Sequence, residues 1–378
     1  MMQIANDWSF SSPETALTLP SRYFFDPEVF QAERDRIFMS SWHLIGHKSE
    51  LSEPGQFIVC DVFDQSVVAT RGRDGTVHAF HNVCQHRGNR LVNERRGTTK
   101  GVFRCSYHSW CYGLDGSLRS APRSERMVDF KKENYGIPPV RVEEFAGFLF
   151  FNLDPKAPSM QDTFPGAEAT MIERFPDAQD VRLVGEKDFL VPANWKVIMD
   201  NNIEGYHFEL SGPVHTVLAN LISFEGYKLT PHERWWTYTA PANMAAEQAY
   251  SVPLDDEAKQ SNPRFFNIVL WPHNTFYRFP FSNFLGTFLI IPTGAEESII
   301  RVGYYVAGEK IPAVTEASIK WMSEELGPED ISLNITTQKG LRSLGYKQGR
   351  YMIDAERSNM SEHLVHHFHT LVYNAIRG

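Results

Sequence analysis

A chain of 378 residues, 42% hydrophobic and 13% aromatic, can build one large or two medium domains and still line a pocket with rings. A net charge of −9 with no basic run excludes a general nucleic-acid surface. Four cysteines at this length make no disulfide scaffold, no apolar stretch is long enough to span a bilayer, and the first residues lack a targeting pattern, so a cytoplasmic protein with no membrane partner is expected.

Residues 1–40 read as an N-terminal helical segment, because Asp26 can cap a helix that Pro27 opens and that runs to about Phe38. Residues 41–153 read as a small all-β domain. Strands are predicted at 57–63, 66–71 and 76–83, with a hairpin turn at 73–76. Another hairpin tip falls at 113–118, and strands at 138–145 and 147–153 close the domain. The Pro-rich, polar stretch 154–165 is the expected linker. In residues 166–378 helices and strands mix. Helical spacing runs over 194–207, strands are predicted at 265–272, 283–292 and 298–307, Gly327-Pro328 opens a helix, and a last helix spans about 357–376.

The strongest chemical signal is Cys84-Gln-His86 followed, eighteen residues later, by Cys105-Ser-Tyr-His108. Two thiolates and two imidazoles hold either a [2Fe–2S] cluster, one iron by Cys₂ and the other by His₂, or a Cys₂His₂ zinc ion. Zinc fingers keep cysteines together and histidines together. Here the two types alternate, which favours the cluster.

The segments CQHRGNRL (84–91) and CSYHSWCYGLDGSL (105–118) resemble the paired motifs of Rieske non-haem iron oxygenases. Asn89 and Tyr107 stand about where respiratory Rieske proteins carry an extra disulfide, so the oxygenase branch is favoured. Cys60 and Cys111 are expected to be buried structural thiols. The resemblance implies an α+β chain: an N-terminal all-β Rieske domain, then a catalytic domain of helix-grip type, with an antiparallel sheet and covering helices. It also implies a mononuclear Fe(II), O₂ as co-substrate, and NAD(P)H electrons delivered by a separate flavin/iron–sulfur reductase.

Such an iron takes two histidines and a carboxylate on one face. Glu204 and His207 are spaced to share a helix face. His215 is the expected second histidine ligand, although seven residues separate it from His207 where the family has four. By resemblance of residues 327–346, Asp330 is the carboxylate, in preference to Glu329 and Glu325. The resemblance makes Glu204 an electron-transfer bridge from His207 to His108 of a neighbouring protomer, in a closed homotrimer. His363, His366, His367 and His369 are scattered around the last helix and are read as core or interface residues.

Three features are similar to the branch that oxidises quaternary ammonium compounds: Glu at 204, GLRSLGY (340–346) followed by GRYM (349–352), and SEHLVHHFHTLV (361–372). A trimethylammonium group binds to aromatic faces. Phe208, Trp235, Trp236, Tyr238, Phe276 and Phe281 are the candidates for such a cage. An aromatic ring-hydroxylating α subunit is the first alternative reading, and a non-catalytic Rieske electron carrier is one from another class.

Overall fold

The computed structural model describes Trp8 and residues 12–377. These divide into a smaller unit, Met39–Asp162, and a larger one formed by the described residues before it together with Thr163 onward. Among the described residues no helix is long and apolar enough to cross a membrane.

The smaller unit is all-β apart from single turns. Its main sheet contains β1 (Trp42–His47), β2 (Gln56–Val62), β3 (Gln65–Arg71), β4 (Val77–His81), β5 (Arg96–Thr98), β9 (Pro139–Phe145) and β10 (Phe148–Asn152), in the order β1-β10-β9-β4-β3-β2-β5. A second ribbon joins β6 (Val102–Arg104), β7 (Cys111–Gly113) and β8 (Leu118–Ser120). The predicted turn at 73–76 forms because Asp74 Oδ1 accepts from the amide and hydroxyl of Thr76. The inward residues Phe57, Val68, Phe80, Trp110, Tyr112 and Leu118 make one core beneath both ribbons.

The stretch expected as a linker is largely bound to this unit. Trp42 Nε1 donates to Pro158 O at 3.2 Å, Arg141 donates to Ala157 O, and Met160 N donates to Glu143 Oε2 at 2.8 Å. These bonds lead into α2 (Met160–Thr163), so the compact unit continues to Asp162.

The larger unit is a helix-clad antiparallel sheet in the order β11-β19-β18-β17-β16-β13-β12. Its strands are β11 (Val181–Val191), β12 (Lys228–Pro231), β13 (Trp235–Pro241), β16 (Arg264–Leu270), β17 (Asn274–Arg278), β18 (Phe284–Gly294) and β19 (Glu297–Ala307), while β14 (Gln248–Ala249) and β15 (Val252–Pro253) form a separate ribbon. The helices are α1 (Pro27–Arg36), α3 (Ala167–Arg174), α4 (Trp195–Asn202), α5 (Pro213–Leu221), α6 (Asp256–Ser261), α7 (Ala313–Trp321), α8 (Gly327–Leu341) and α9 (His363–Arg377). A five-residue π-helical stretch, Met322–Leu326, joins α7 to α8. The expected α+β class and antiparallel catalytic sheet are both present.

Helix α1 starts as predicted, with Asp26 accepting from Glu28 N at 2.9 Å and Pro27 in the first turn. It belongs to the larger unit. Glu33 is wholly buried and bonded to Lys196 Nζ at 2.6 Å and to Trp195 Nε1 at 2.8 Å, which ties α1 to the start of α4. Helix α9 turns Leu364, Phe368, Val372 and Ile376 inward, the spacing of a one-sided apolar stripe. It begins later than the sequence suggests. Residues 354–358 instead make a turn closed by Asp354, which accepts from the amide and hydroxyl of Ser358.

Candidate metal centres and substrate cavity

Two loops of the smaller unit repeat one backbone design. Cys84 N donates to Asn89 O and Gly88 N to Cys84 O; likewise Cys105 N donates to Trp110 O and Ser109 N to Cys105 O. Gly88 and Ser109, four residues after their cysteines, both hold left-handed φ, at +70° and +60°. This tight turn brings each cysteine and its histidine to the same end of the loop. The thiols of Cys84 and Cys105 lie within hydrogen-bonding reach of one another, and both are buried. His86 Nδ1 and His108 Nδ1 converge to 3.1 Å, with both rings half-buried. Paired thiols on the buried side and paired imidazoles on the outer side are the donor arrangement for a [2Fe–2S] cluster of the Cys₂His₂ kind.

The surroundings treat the two thiols differently. Tyr112 Oη accepts from Gln85 N at 2.9 Å and lies 3.3 Å from Cys84 Sγ. Burial pushes the Cys84 thiol up. Burial acts on Cys105 in the same sense, but hydrogen bonds from the amides of Tyr107 and His108 and from the Cys84 and Asn89 side chains together outweigh it and hold that thiol below the ordinary range. Trp110 stacks on His86 at 4.8 Å and 12°, which fixes the ring plane. Cys60 is buried against Leu44 O; Cys111 is only half-buried, because it sits on β7 at the ribbon surface.

The second centre lies in the larger unit. Helix α4 ends at Asn202, short of the predicted 207, because the chain must turn closely at Gly205. A Cβ there would come within 2.9 Å of Asn359 O and 3.0 Å of Tyr227 Oη. Glu204 and His207 therefore sit on a turn, not a helix face, and Glu204 Oε1 bonds directly to His207 Nδ1. The seven intervening residues bulge outward: the amides of Leu210 and Ser211 fold back on His207 O, and Gly212 adopts φ +94° to enter α5. Pro213 opens that helix, and His215 projects from its first turn.

His207 Nε2, His215 Nε2 and Asp330 Oδ1 converge. Asp330 Oδ1 is 3.0 Å from His215 and 3.7 Å from His207, and the three donor atoms lie within 4.8 Å of one another. Each imidazole has its other nitrogen bonded to a carboxylate: His207 Nδ1 to Glu204, and His215 Nδ1 to Glu329 Oε2 at 2.5 Å. That is the donor set and outer support of a two-His, one-carboxylate iron. Burial lowers the pKa of His215, but the Asp330 and Glu329 carboxylates outweigh it and raise the imidazole above its usual range. A bound cation would compensate the same carboxylates.

From sequence Glu329 is only a rival ligand. In the structure it caps α5, accepting from His215 N at 2.9 Å and Val214 N at 3.3 Å as well as from the ring. Its signal is its position beside Asp330 at a helix start, where consecutive residues point in different directions and serve different partners. Sequence reading also misses Asn201, whose Nδ2 lies 3.5 Å from His207 Nε2.

A cavity opens on the three converging donors. Of the six proposed cage residues, the structure brings Phe208 and Tyr238 to its wall and leaves four elsewhere. Trp235 stacks on His232 at 3.7 Å and bonds Pro165 O, while Trp236 packs on Phe368 of α9. Phe276 is fully buried on β17, on the face opposite its cavity-lining neighbour Tyr277. Phe281 is buried in the bend after β17. The other aromatic walls are Phe265, Tyr277, Phe279 and Phe288, which sequence reading passes over. Among the described residues no lysine or arginine lines the cavity, and Asp330 is its one acid.

Paired Cys/His loops in one unit and a His/His/Asp triad in the other define the class of Rieske non-haem iron oxygenases. The chain belongs to that family: residues 41–138 match the Rieske [2Fe-2S] domain and residues 172–378 match the ring hydroxylating alpha subunit (catalytic domain). Among its relatives is the carnitine monooxygenase oxygenase subunit of Escherichia coli (strain K12), 34% identical over 96% of this chain and 94% of that one. The chloroplastic choline monooxygenase of Spinacia oleracea is 26% identical over 97% of this chain and 80% of its own length. Among solved structures, a quaternary ammonium Rieske monooxygenase, CntA, in complex with its substrate L-carnitine superposes with a TM-score of 0.87 at 33% identity, covering 99% of each chain. The protein is thus an oxygenase enzyme whose cofactors are a [2Fe–2S] cluster and a mononuclear iron, with O₂ as co-substrate.

Proposed function

We propose that this enzyme hydroxylates or N-demethylates a small quaternary ammonium compound, with Cys84, His86, Cys105 and His108 holding the cluster and His207, His215 and Asp330 holding the catalytic iron. The observation that carries the substrate class is the cavity wall. Phe208, Tyr238, Phe265, Tyr277 and Phe279 face the His207–His215–Asp330 triad, with no cationic side chain among them. Each aromatic face attracts a trimethylammonium group by about 0.5–2 kcal/mol, and a wall without lysine or arginine does not repel it. The oxygenation of carnitine and choline by relatives supports the same reading.

The metal centres, when loaded, supply oxygen activation and electrons; the chain's own residues supply placement. Glu204 and Glu329 fix which nitrogen of each histidine faces the centre. The aromatic wall holds the cation so that an N-methyl group faces the triad and water is excluded. Hydroxylation of that methyl gives a carbinolamine, which releases formaldehyde, a proton and the demethylated amine. Hydroxylation at a neighbouring carbon leaves the N-methyl groups in place.

Electrons arrive from a separate flavin/iron–sulfur reductase. In this reading Glu204 carries them onward, accepting from His207 of its own chain and from His108 of the partner subunit in a three-membered ring. Cysteines left free of disulfides fit a reducing compartment such as the cytoplasm. Turnover of choline against its neutral carbon isostere 3,3-dimethylbutanol tests the substrate class. A preference of about tenfold or more for the cation is expected from two or three cation–π contacts. Equal use of the two, or preference for flat aromatics, rejects it.

A further inference from the structure

The cavity wall contains two polar residues whose bonding is incomplete, Asn267 and Tyr277. Tyr238, Asn267 and Tyr277 are directly paired across β13, β16 and β17, so they form a row on one face of the sheet, and all three line the cavity. Phe265, two residues before Asn267 on β16, faces the same way. Asn267 is therefore an amide set into an aromatic wall. It is 4% exposed, and its Nδ2 has no hydrogen-bond partner.

Tyr277 Oη is likewise without a hydrogen-bond partner, but as a weakly directional phenol on the aromatic wall it is the lesser donor; the other polar neighbours are occupied. Tyr238 Oη donates to Asn202 O at 2.6 Å, and Asn202 Nδ2 donates to Thr275 Oγ1 at 3.0 Å. The Tyr277 hydroxyl lies beside that of Tyr304, which meets Ser323 Oγ at 2.6 Å. Asn201 Nδ2 is turned to His207. A buried donor without a partner is costly, and interiors do not keep one unless something else satisfies it.

We infer that the Asn267 side-chain amide donates to an acceptor oxygen of the substrate, which makes the substrate a quaternary ammonium compound carrying a carboxylate or hydroxyl oxygen at the end away from the reacting methyl. Asn267 is then a specificity-determining residue. This role rests on the substrate class proposed above and narrows it: a bare alkyltrimethylammonium ion satisfies the aromatic wall and leaves the amide unpaired. With no lysine or arginine in the wall, the amide takes the place that a basic residue would fill for a carboxylate.

The test compares two matched pairs on the iron-loaded enzyme with its reductase: γ-butyrobetaine against pentyltrimethylammonium, and choline against propyltrimethylammonium. Wild type should favour the oxygen-bearing member of at least one pair by about tenfold to a hundredfold in kcat/KM. Which pair shows the preference tells a carboxylate from a hydroxyl. Asn267→Leu should abolish it by raising KM for the oxygen-bearing member far more than for the alkyl member, with the loss in KM and not in kcat. Asn267→Asp keeps size and polarity, so it serves if the leucine variant fails to fold; its carboxylate repels a substrate carboxylate and should invert the preference in that pair, while a substrate hydroxyl can donate to it and should keep its preference. No preference in either pair, as expected if the amide only holds a water, overturns the inference while the substrate class stands. An equal loss on both members of a pair also overturns it, since that marks a structural role. Failure of wild type on all four cations overturns the substrate class and this inference with it.

Discussion

Glu329 decides which nitrogen of His215 is free to bind metal, because it holds Nδ1 and two backbone amides of α5 at once. Replacing it by alanine leaves the ring able to rotate and the helix uncapped. Glu329→Ala should lower iron affinity or activity by about 10- to 100-fold, measured as iron retained per chain after dialysis against a weak chelator. Iron retention equal to wild type would show that His215 needs no such support. Glu362 supports a second prediction. Burial, together with the nearby Glu204 and Asp200 carboxylates, pushes its pKa up to about 7, although Met352 N donates to it at 2.6 Å. A carboxyl whose folded pKa is raised keeps its full stability below the unfolded value near 4.5 and loses it as pH climbs through 7. Glu362→Gln should therefore match wild type near pH 4.5 and be the more stable protein at pH 8. Its lead should grow by about 1.4 kcal/mol for each pH step climbed between those two pKa values, read by denaturant titration. A pH-independent difference would contradict it. At this scale the chain was unevenly legible. Cys84, His86, Cys105 and His108 stand out as proposed cluster ligands in the sequence because each pair is contiguous on one tight loop. Glu329 does not, because its partner lies 114 residues away.

Helix α4 delivers Asn201 and Asn202 to the cavity wall and leads directly into His207, so its anchorage matters to the site. That anchorage is a fully buried ion pair with α1. Burial drives Glu33 up and Lys196 down in pKa, so the pair is costly to bury, and its worth lies in its completeness. Lys196→Met alone should cost about 3–5 kcal/mol by stranding Glu33, whereas Lys196→Met with Glu33→Leu should recover most of it. Equal loss in the single and double variants would contradict that account. The same scale explains the cage residues that sequence placed wrongly or missed. Trp235 and Trp236 are adjacent on β13, so they face opposite sides of the sheet, and neither side at that position is the cavity. On β17 it is Tyr277 that faces inward, not Phe276. Which strand face looks at the triad is set by sheet register, and composition carries no trace of it. The π-helical stretch before α8, which brings Met322 and Leu326 to the cavity, was equally invisible, because its extra residue has no local motif.

For the whole molecule the expected α+β architecture was readable from the change in texture between 41–153 and 166–378. The place of α1 was not, since its partner Lys196 lies 163 residues on. The electron route proposed through Glu204 predicts complementation between chains. A His207→Ala chain keeps a cluster and lacks the iron site; a Cys84→Ser chain does the reverse. Mixed and reassembled, they should regain up to about a quarter of wild-type activity, the chance of the right neighbour in a random head-to-tail ring. No activity in verified mixed assemblies would place the whole route within one chain.

In the proposed reaction the His207–His215–Asp330 centre oxidises a quaternary ammonium compound held by the aromatic wall. A single turnover of the pre-reduced, iron-loaded enzyme under ¹⁸O₂, with betaines, carnitine, choline and simple aromatics competing in one mixture, tests it most directly. One labelled oxygen in a hydroxylated amine, or in formaldehyde released with a demethylated amine, is the predicted result. A doubly labelled diol of an aromatic substrate, with the amines untouched, would contradict it.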